Sequence, residues 1–502
     1  MSDAAPTTLP IEDALPALRA AMAGHGRAVL IAPPGAGKTT RVPLALMDQV
    51  AGKIIMLEPR RLAARAAAER LADSLGQQPG RDVGYRMRGQ AVAGTRIEVV
   101  TEGILTRMLQ SDPALQGVGC VIFDEFHERS LNADLGLAIV WEARSALRPD
   151  LGLLVMSATL DAGPVAQMLD RAPIIESLGR AYPVETRYLP RPLPGAARFD
   201  LEAARLIAQA EAETRADPGG TILAFLPGEG EIRRVAAALS DLPAEILPLF
   251  GAMDFKAQRE VLAPPGARRR IVLATSIAET SLTIPGVRVV VDCGRARRAR
   301  FDPGSGMSRL VTEKVSRAEA EQRRGRAGRI APGICYRMWA RAEEGALPEY
   351  APPEIAVADL TGLALELANW GSDGADLAFL TPPPEAALTE ARALLAGLGA
   401  LDSAGRITPH GRALAALPVH PRSAHTLAIA GSKGADLAAL IEDRDPLRGV
   451  GADLSLRLRA LQDPARHGPA RGALERIRSE AARLRRLSAD RQTLPAGAMA
   501  EI

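Results

Sequence analysis

The sequence predicts an α/β protein: two parallel-sheet units in tandem, followed by a smaller, mostly helical region. Three observations carry that prediction. Short apolar runs alternate with alanine-rich helical stretches twice over, the signature of βα units laid side by side. One run ends directly in a pair of carboxylates, and in open α/β sheets such strand ends face the ligand site. Beyond Ala340 the strand-like runs give way to helical patterns. A chain of 502 residues has room for three or four bodies, each with its own core.

The first unit, residues 1–180, takes its strands from Ala28–Ile31, Lys53–Leu57, Arg96–Thr101, Val118–Phe123 and Leu151–Ser157. Tyr182–Ala197, rich in proline and arginine, reads as the crossover. The second unit, 181–345, has strands at Thr221–Leu226, Ala244–Phe250, Arg270–Ala274 and Arg288–Cys293. Residues 346–420 hold the amphipathic helix Glu385–Leu401, the turn Asp402-Ser-Ala-Gly405, the short run Arg406–Thr408 and a second helix, Gly411–Leu417. In the last part, 421–502, Leu427–Leu440 and the arginine-rich Leu474–Leu487 read as helices.

The first strand feeds Ala32-Pro-Pro-Gly-Ala-Gly-Lys-Thr-Thr40, giving strand, glycine loop and helix start in the order that a phosphate-binding loop requires. Pro34, Gly35, Ala36, Gly37, Lys38, Thr39 and Thr40 form the cradle. The glycines let backbone amides turn inward, and the helix beginning near Lys38 adds the positive end of its dipole. Lys38 is placed to reach the β- and γ-phosphates of ATP, and Thr39 to hold Mg²⁺. The strict pattern opens on glycine where this chain has Ala32; an ordinary glycine turn before a helix is the competing reading. A second run, Gly119-Cys-Val-Ile-Phe123, ends in Asp124-Glu125-Phe126-His127. Asp124 suits Mg²⁺, and Glu125 suits the orientation and deprotonation of an attacking water. His127 has two readings, one packed at a helix start and one bridging the two sheet units.

Composition agrees with this picture without producing it. The net charge is only +3, so partner choice follows local charge. Arginine supplies most of the 62 basic residues, and its planar fork suits phosphates, although codon bias would give the same arginine and alanine excess. Aromatic residues are 3% of the chain, too few for base stacking to dominate nucleic-acid affinity. Cys120, Cys293 and Cys335 lack metal-ligand spacing, and a reducing cytoplasm fits them. The first thirty residues lack a secretory pattern, and no stretch approaches a membrane span of roughly twenty apolar residues.

At this point the chain resembles superfamily-two helicases of the DEAH-box class, on the bacterial HrpB-type side. Phe126 stands where the class name has alanine. The other family motifs follow in order: Leu57-Glu-Pro-Arg-Arg-Leu-Ala63, Thr101-Glu-Gly-Ile104, Ser157-Ala-Thr159, Phe225-Leu-Pro-Gly228, Ala274–Leu282 and Gln322-Arg-Arg-Gly-Arg-Ala-Gly-Arg329, then Pro353-Glu-Ile355 and Asn369-Trp-Gly371. The resemblance implies two tandem RecA-like parallel-sheet domains, a winged-helix domain and the start of a helical domain. It covers nearly the whole chain, while the family normally continues for hundreds of residues beyond the point that Ile502 reaches.

By that resemblance Gln322, Arg326 and Arg329 contact the γ-phosphate and its attacking water, the arginines acting as charges delivered by domain closure. Arg323 and Arg324 of the same run read as surface residues. Arg70 resembles the family arginine that stacks on adenine, with Leu262 where an aromatic partner is common, and Ser157 and Thr159 couple the two events. Arg60, Arg61, Thr101 and Thr275 are expected on the nucleic acid, touching phosphate and sugar rather than base edges. Gly294–Leu310 lies where the family inserts a β-hairpin; Arg295, Arg297, Arg298 and Arg300 read as its basic tip, with a solvated loop as the alternative. Pro285 replaces an acidic residue in the Ala274 motif. The implied activity is ATP- and Mg²⁺-dependent unwinding of RNA, 3′ to 5′, on a single strand with a duplex junction. Preference for RNA over DNA rests on the resemblance alone. A nucleic-acid-stimulated ATPase that remodels complexes without processive unwinding is the alternative, and a P-loop interaction module with little turnover is disfavoured by Glu125, Arg326 and Arg329. A monomer is favoured.

Overall fold

In the computed structural model the described residues are 9–489, apart from 159–161, 180–181, 196, 217–219, 254, 280–283, 303, 305 and 448. They fall into two compact units, Met1–Ala358 with Ala378–Pro382, and Asp359–Leu377 with Pro383–Ile502. The first holds both sheets.

The predicted apolar runs of the first unit are strands because their side chains are buried on both faces; Ile54, Ile55, Met56 and Leu57 are all within the core. The first sheet contains β1 (Arg27–Ile31), β2 (Lys53–Glu58), β3 (Val83–Met87), β4 (Gln90–Val92), β5 (Ile97–Thr101), β6 (Val118–Phe123), β7 (Gly152–Ser157) and β8 (Ile174–Glu176). Their order is β4-β3-β5-β2-β6-β7-β1-β8, parallel throughout except for β4, which returns antiparallel beside β3. The adjacency of β6, β7 and β1 puts the phosphate loop, Asp124 and Ser157 at neighbouring carboxyl ends, where α/β sheets bind ligands.

The second sheet is wholly parallel, with β9 (Val184–Leu189), β10 (Thr221–Phe225), β11 (Glu245–Leu249), β12 (Arg270–Ala274), β13 (Val287–Asp292) and β16 (Gly333–Ala340) in the order β11-β12-β10-β13-β16-β9. Between β13 and β16 the hairpin β14 (Arg295–Asp302) and β15 (Met307–Lys314) stands apart as a two-stranded ribbon. The proposed crossover needs correction here. Val184–Leu189 is an edge strand paired with β16; the prolines lie before and after it, where an edge tolerates them.

In the second unit the helix 385–397 leads to a single bridge between Leu401 and Ile407, then to the helix 409–415 capped by Thr408 Oγ1 on the Gly411 amide. This is the predicted helix, wing and helix. The predicted helix Leu427–Leu440, by contrast, is broken. Pro421–Ala430 ends at Gly431, whose φ of +57° is cheap only for glycine, and Ala435–Glu442 begins afresh. No helix among the described residues is long and apolar enough to cross a membrane. Cys120, Cys293 and Cys335 are free and buried, and burial pushes the Cys120 thiol up to about 12.

Candidate nucleotide and nucleic-acid site

The phosphate loop owes its shape to two glycines in the left-handed region, Gly35 at φ +87° and Gly37 at φ +98°. A Cβ at Gly37 would lie 2.7 Å from Leu9 Cδ1, because the N-terminal segment packs behind the loop and the Ile11 amide donates to Ala36 O at 3.1 Å. The helix then starts at Lys38, with the Arg41 amide donating to Gly37 O and Thr40 Oγ1 donating to the same oxygen. Sequence reasoning missed this backing by Leu9 and Ile11, which lie too close to the chain start to show a periodic pattern.

Thr39 and Asp124, the two expected metal ligands, are brought together across 85 residues: Thr39 Oγ1 donates to Asp124 Oδ2 at 2.5 Å. Lys38 Nζ sits 2.8 Å from Glu125 Oε2 and 3.9 Å from Asp124 Oδ1. Burial favours the neutral form of both carboxyls. For Glu125 the adjacent Lys38 more than offsets burial and, with His127 and Arg326, holds it down at about 2. For Asp124 burial prevails over Lys38, and the charge on Glu125 adds to the upward push. Glu125 itself has φ +51°, a conformation that costs a non-glycine residue about 1–3 kcal/mol and persists where surrounding structure holds it. A third carboxylate, Glu58, ends β2 beside this pair, only 2% exposed, with Oε2 lacking a hydrogen-bond partner among the described residues. Burial, then Asp124 and Glu125, drive its pKa well up. Glu58 was visible in the sequence only as part of the Leu57 motif, and nothing local marks it as facing Asp124.

The arginine motif completes the same site from the second sheet. A Cβ placed on Gly35 would lie 3.6 Å from Arg329 Cδ and Nε, so the Arg329 side chain rests against the phosphate loop. Its Nη2 is buried without a hydrogen-bond partner among the described residues, and burial, opposed by Glu125, lowers its pKa to about 10. Arg326 is buried with Nε on Glu279 O at 2.8 Å; burial and then Arg329 push it well down, while Glu125 opposes. Gln322 is buried on the same segment. A glycine cradle, a Thr–Asp pair, a buried lysine and a guanidinium held in low dielectric fit a nucleoside triphosphate with Mg²⁺, whose phosphates would compensate the buried Arg329 Nη2. Arg323 corrects the surface reading. It is 1% exposed, bonded to Glu279 Oε1 at 2.6 Å and Asp292 Oδ1 at 2.8 Å, and its guanidinium lies over Phe225. It therefore holds the motif to its own sheet, and breaking such a buried pair costs about 3–5 kcal/mol. Arg324 does lie partly exposed, paired with Glu321.

His127 Nδ1 accepts from the Ala158 amide at 3.3 Å and lies 3.5 Å from Glu125 Oε2, so its bonds tie it to the Ser157 motif within the first sheet. Burial lowers its pKa, opposed by the neighbouring Glu125. It also lines a cavity of about 600 Å³ together with Gln322, Arg60 and Ser276. Ser157 is fully buried, and its carbonyl accepts from the Ala32 amide at the root of the phosphate loop; Thr159 lies outside the described residues. Phe126, the departure from alanine, is 1% exposed, with its ring edge-on to Phe123 at 6.1 Å. Its burial stabilises the turn by about 1.5–3 kcal/mol.

Of the residues expected on nucleic acid, Arg60, Arg61 and Thr275 line one cleft of about 630 Å³ with Arg65 and Gln90. Arg60 also straps the two sheets, donating to Ser276 O at 2.8 Å and pairing with Glu128 at 3.1 Å. Thr101 ends β5 at the N-cap position of the helix Glu102–Ser111 and is not part of that lining. Arg70 is exposed on the helix Arg61–Ser74, and Leu262 packs into the core of the second sheet.

The hairpin exists, but its arginines are not at the tip. The tip is the turn after Asp302, whereas Arg297, Arg298 and Arg300 lie along β14 and face carboxylates. Arg297 pairs with Glu231 at 3.2 Å, Arg298 with Glu313 and Glu319, and Arg300 Nε with Glu313 at 2.6 Å. Glu319 is the capping-box residue of the helix that carries Gln322. Arg297 and Arg298 thus tie the hairpin to the helices of the second sheet, while Arg300 pairs across the hairpin itself. Replacing all three by Ala is expected to lower ATP turnover along with any strand separation. The slope of log affinity against log salt for single-stranded RNA, read by fluorescence anisotropy, should flatten by much less than the ~2 that three freed phosphate contacts would give. A flattening near that value with unchanged turnover would restore them as strand-contacting residues.

Two RecA-like sheets, one carrying a phosphate-loop sequence and the other resting Arg329 against it, define a P-loop helicase core. Residues 12–168 match the DEAD/DEAH box helicase family, 204–331 the helicase conserved C-terminal domain, and 391–419 the winged-helix helicase associated domain. The chain is similar to the ATP-dependent RNA helicase HrpB of Escherichia coli K12, 48% identical over 464 residues, covering 90% of this chain and 56% of that protein. Similarity extends to HrpA of the same organism, 37% identical over 450 residues, covering 87% of this chain and 34% of the relative. The crystal structure of Escherichia coli DEAH/RHA helicase HrpB superposes with a TM-score of 0.84 at 44% identity, covering 97% of this chain and 61% of that one. This chain belongs to the DEAH-box helicases, of the HrpB type. It spans little more than half the length of HrpB.

Proposed function

We propose that the protein is a cytoplasmic ATP-dependent RNA helicase that couples hydrolysis to 3′-to-5′ movement along a single strand and to opening of the duplex ahead of it. The observation that carries this reading is Arg329 of the second sheet lying against Gly35 of the first, since a hydrolysis site divided between two bodies makes turnover depend on how they close. Thr39 and Asp124 would hold Mg²⁺, whose positive charge would favour the departure of the terminal phosphoryl group. Lys38 would turn from Glu125 to the phosphates, releasing Glu125 to take the proton of a water ordered with help from Gln322. Arg326 and Arg329 would then face the charge that develops as the terminal phosphoryl group leaves. His127 and Ser157 would hold Glu125 and the loop in register, and Arg70 would flank adenine. Arg60, Arg61, Thr101 and Thr275 would grip phosphates and sugars, which gives weak sequence preference.

The ion-paired hairpin arginines favour a second reading, an RNA-stimulated ATPase that remodels complexes without processive unwinding. Strand displacement separates the two. With labelled RNA duplexes, ATP should release the strand from a 3′ overhang, fail on a 5′ overhang, and act less well on the DNA equivalents. No displacement on any duplex, with RNA still accelerating hydrolysis, would reject unwinding and leave the remodelling reading.

A further inference from the structure

The Thr101 motif and the catalytic carboxylates are joined by a contact that neither motif announces. Glu102 opens the helix Glu102–Ser111 directly after Thr101, and its Oε2 accepts a hydrogen bond from Ser130 Oγ at 2.6 Å. Ser130 lies five residues beyond Glu125. The segment between them is a single short turn, Phe126–Glu128, with a left-handed residue at each end, Glu125 at φ +51° and Arg129 at φ +47°. Such a turn has little freedom to absorb a displacement, because left-handed non-glycine residues occupy a narrow well.

Its far end is fixed several times over. Arg129 Nε bonds Asp134 Oδ1 at 2.9 Å, Arg129 O accepts from the Glu354 amide at 3.0 Å, and the Glu354 carboxylate accepts from the Leu131 amide at 2.8 Å. Its near end is Glu125 on Lys38. We infer that the Glu102–Ser130 hydrogen bond is the positioning contact through which nucleic acid at Thr101 sets Glu125 for hydrolysis. The inference rests on the RNA-helicase reading above. Burial, opposed by the Ser130 hydrogen bond and reinforced by Glu128, Glu354 and Asp134, raises the Glu102 pKa to about 7, consistent with a carboxyl held in a dry, crowded junction.

Ser130 has a second role that must be separated from this one: Oγ also accepts from the Ala133 amide and caps the helix Leu131–Ala146. Three variants divide the roles. Ser130→Thr keeps both bonds, Glu102→Ala keeps the cap but removes the acceptor, and Ser130→Ala loses both. Melting temperature, ATP turnover with and without saturating single-stranded RNA, and RNA affinity would be measured for each. The expected result is basal turnover and RNA affinity within about twofold of wild type in all three, with stimulation by RNA retained in Ser130→Thr and lost in both Glu102→Ala and Ser130→Ala. Full stimulation in Glu102→Ala or Ser130→Ala would overturn the inference, as would an equal loss of basal and stimulated turnover in Ser130→Ala with Ser130→Thr intact. Should Glu102→Ala fail to fold, Glu102→Leu, which fills the same space without an acceptor, takes its place. A wild-type protein that shows no stimulation would instead fail the helicase reading itself.

Discussion

Glu125→Gln is expected to bind ATP as tightly as the wild type and to lose single-turnover hydrolysis by about 10²–10⁴-fold, the usual worth of a positioned general base. The amide keeps the shape of the carboxylate but cannot take the proton, and it also dissolves the ion pair that holds Lys38 at 2.8 Å. Lys38 is thereby freed for the phosphates, so trapped ATP should accumulate. Lys38→Ala should act on the other step. Loss of a charge-assisted contact, worth about 1.5–3 kcal/mol, should weaken ATP binding about tenfold to a hundredfold, and it also leaves Glu125 and Asp124 buried without their cation. Binding by a fluorescent ATP analogue and rapid-quench hydrolysis measure the two separately. Wild-type hydrolysis in Glu125→Gln would remove Glu125 from the role of base.

What could be read from the sequence was what is local in it. The phosphate loop, Asp124-Glu125 and the Gln322 run each compress their chemistry into a few consecutive residues at the end of a strand or the start of a helix, and the structure gathers them as the motifs imply. Pairings across long stretches were not legible. Arg323 looked like surface charge because its partners, Glu279 and Asp292, stand 44 and 31 positions away. The hairpin arginines looked like a free basic tip because Glu231 and Glu319 come from outside the hairpin, and the place of Glu313 on the return strand depends on the strand register. Val184–Leu189 looked like linker because its side chains are only partly buried and its pairing partner, β16, follows 149 positions later in the register Arg187 to Tyr336, with a proline on the entry side. Glu102 carried no signal of its bond to Ser130, since a glutamate in the first turn of a helix is also what the helix dipole prefers.

The most direct measurement is single-turnover ATP hydrolysis by Arg329→Ala at saturating single-stranded RNA. Arg329 belongs to the second sheet yet rests on Gly35 of the first, and its buried Nη2 lacks a partner among the described residues. Its contribution should therefore be expressed in turnover, whereas RNA binding without nucleotide should be unchanged, because the cleft lined by Arg61 and Thr275 does not include it. Arginine charges supplied across a closing cleft are worth about 10³–10⁵ in rate, and a site divided between two sheets predicts a loss of that order with RNA affinity intact. Turnover within twofold of wild type would mean that the first sheet hydrolyses ATP on its own, and the divided site would be contradicted.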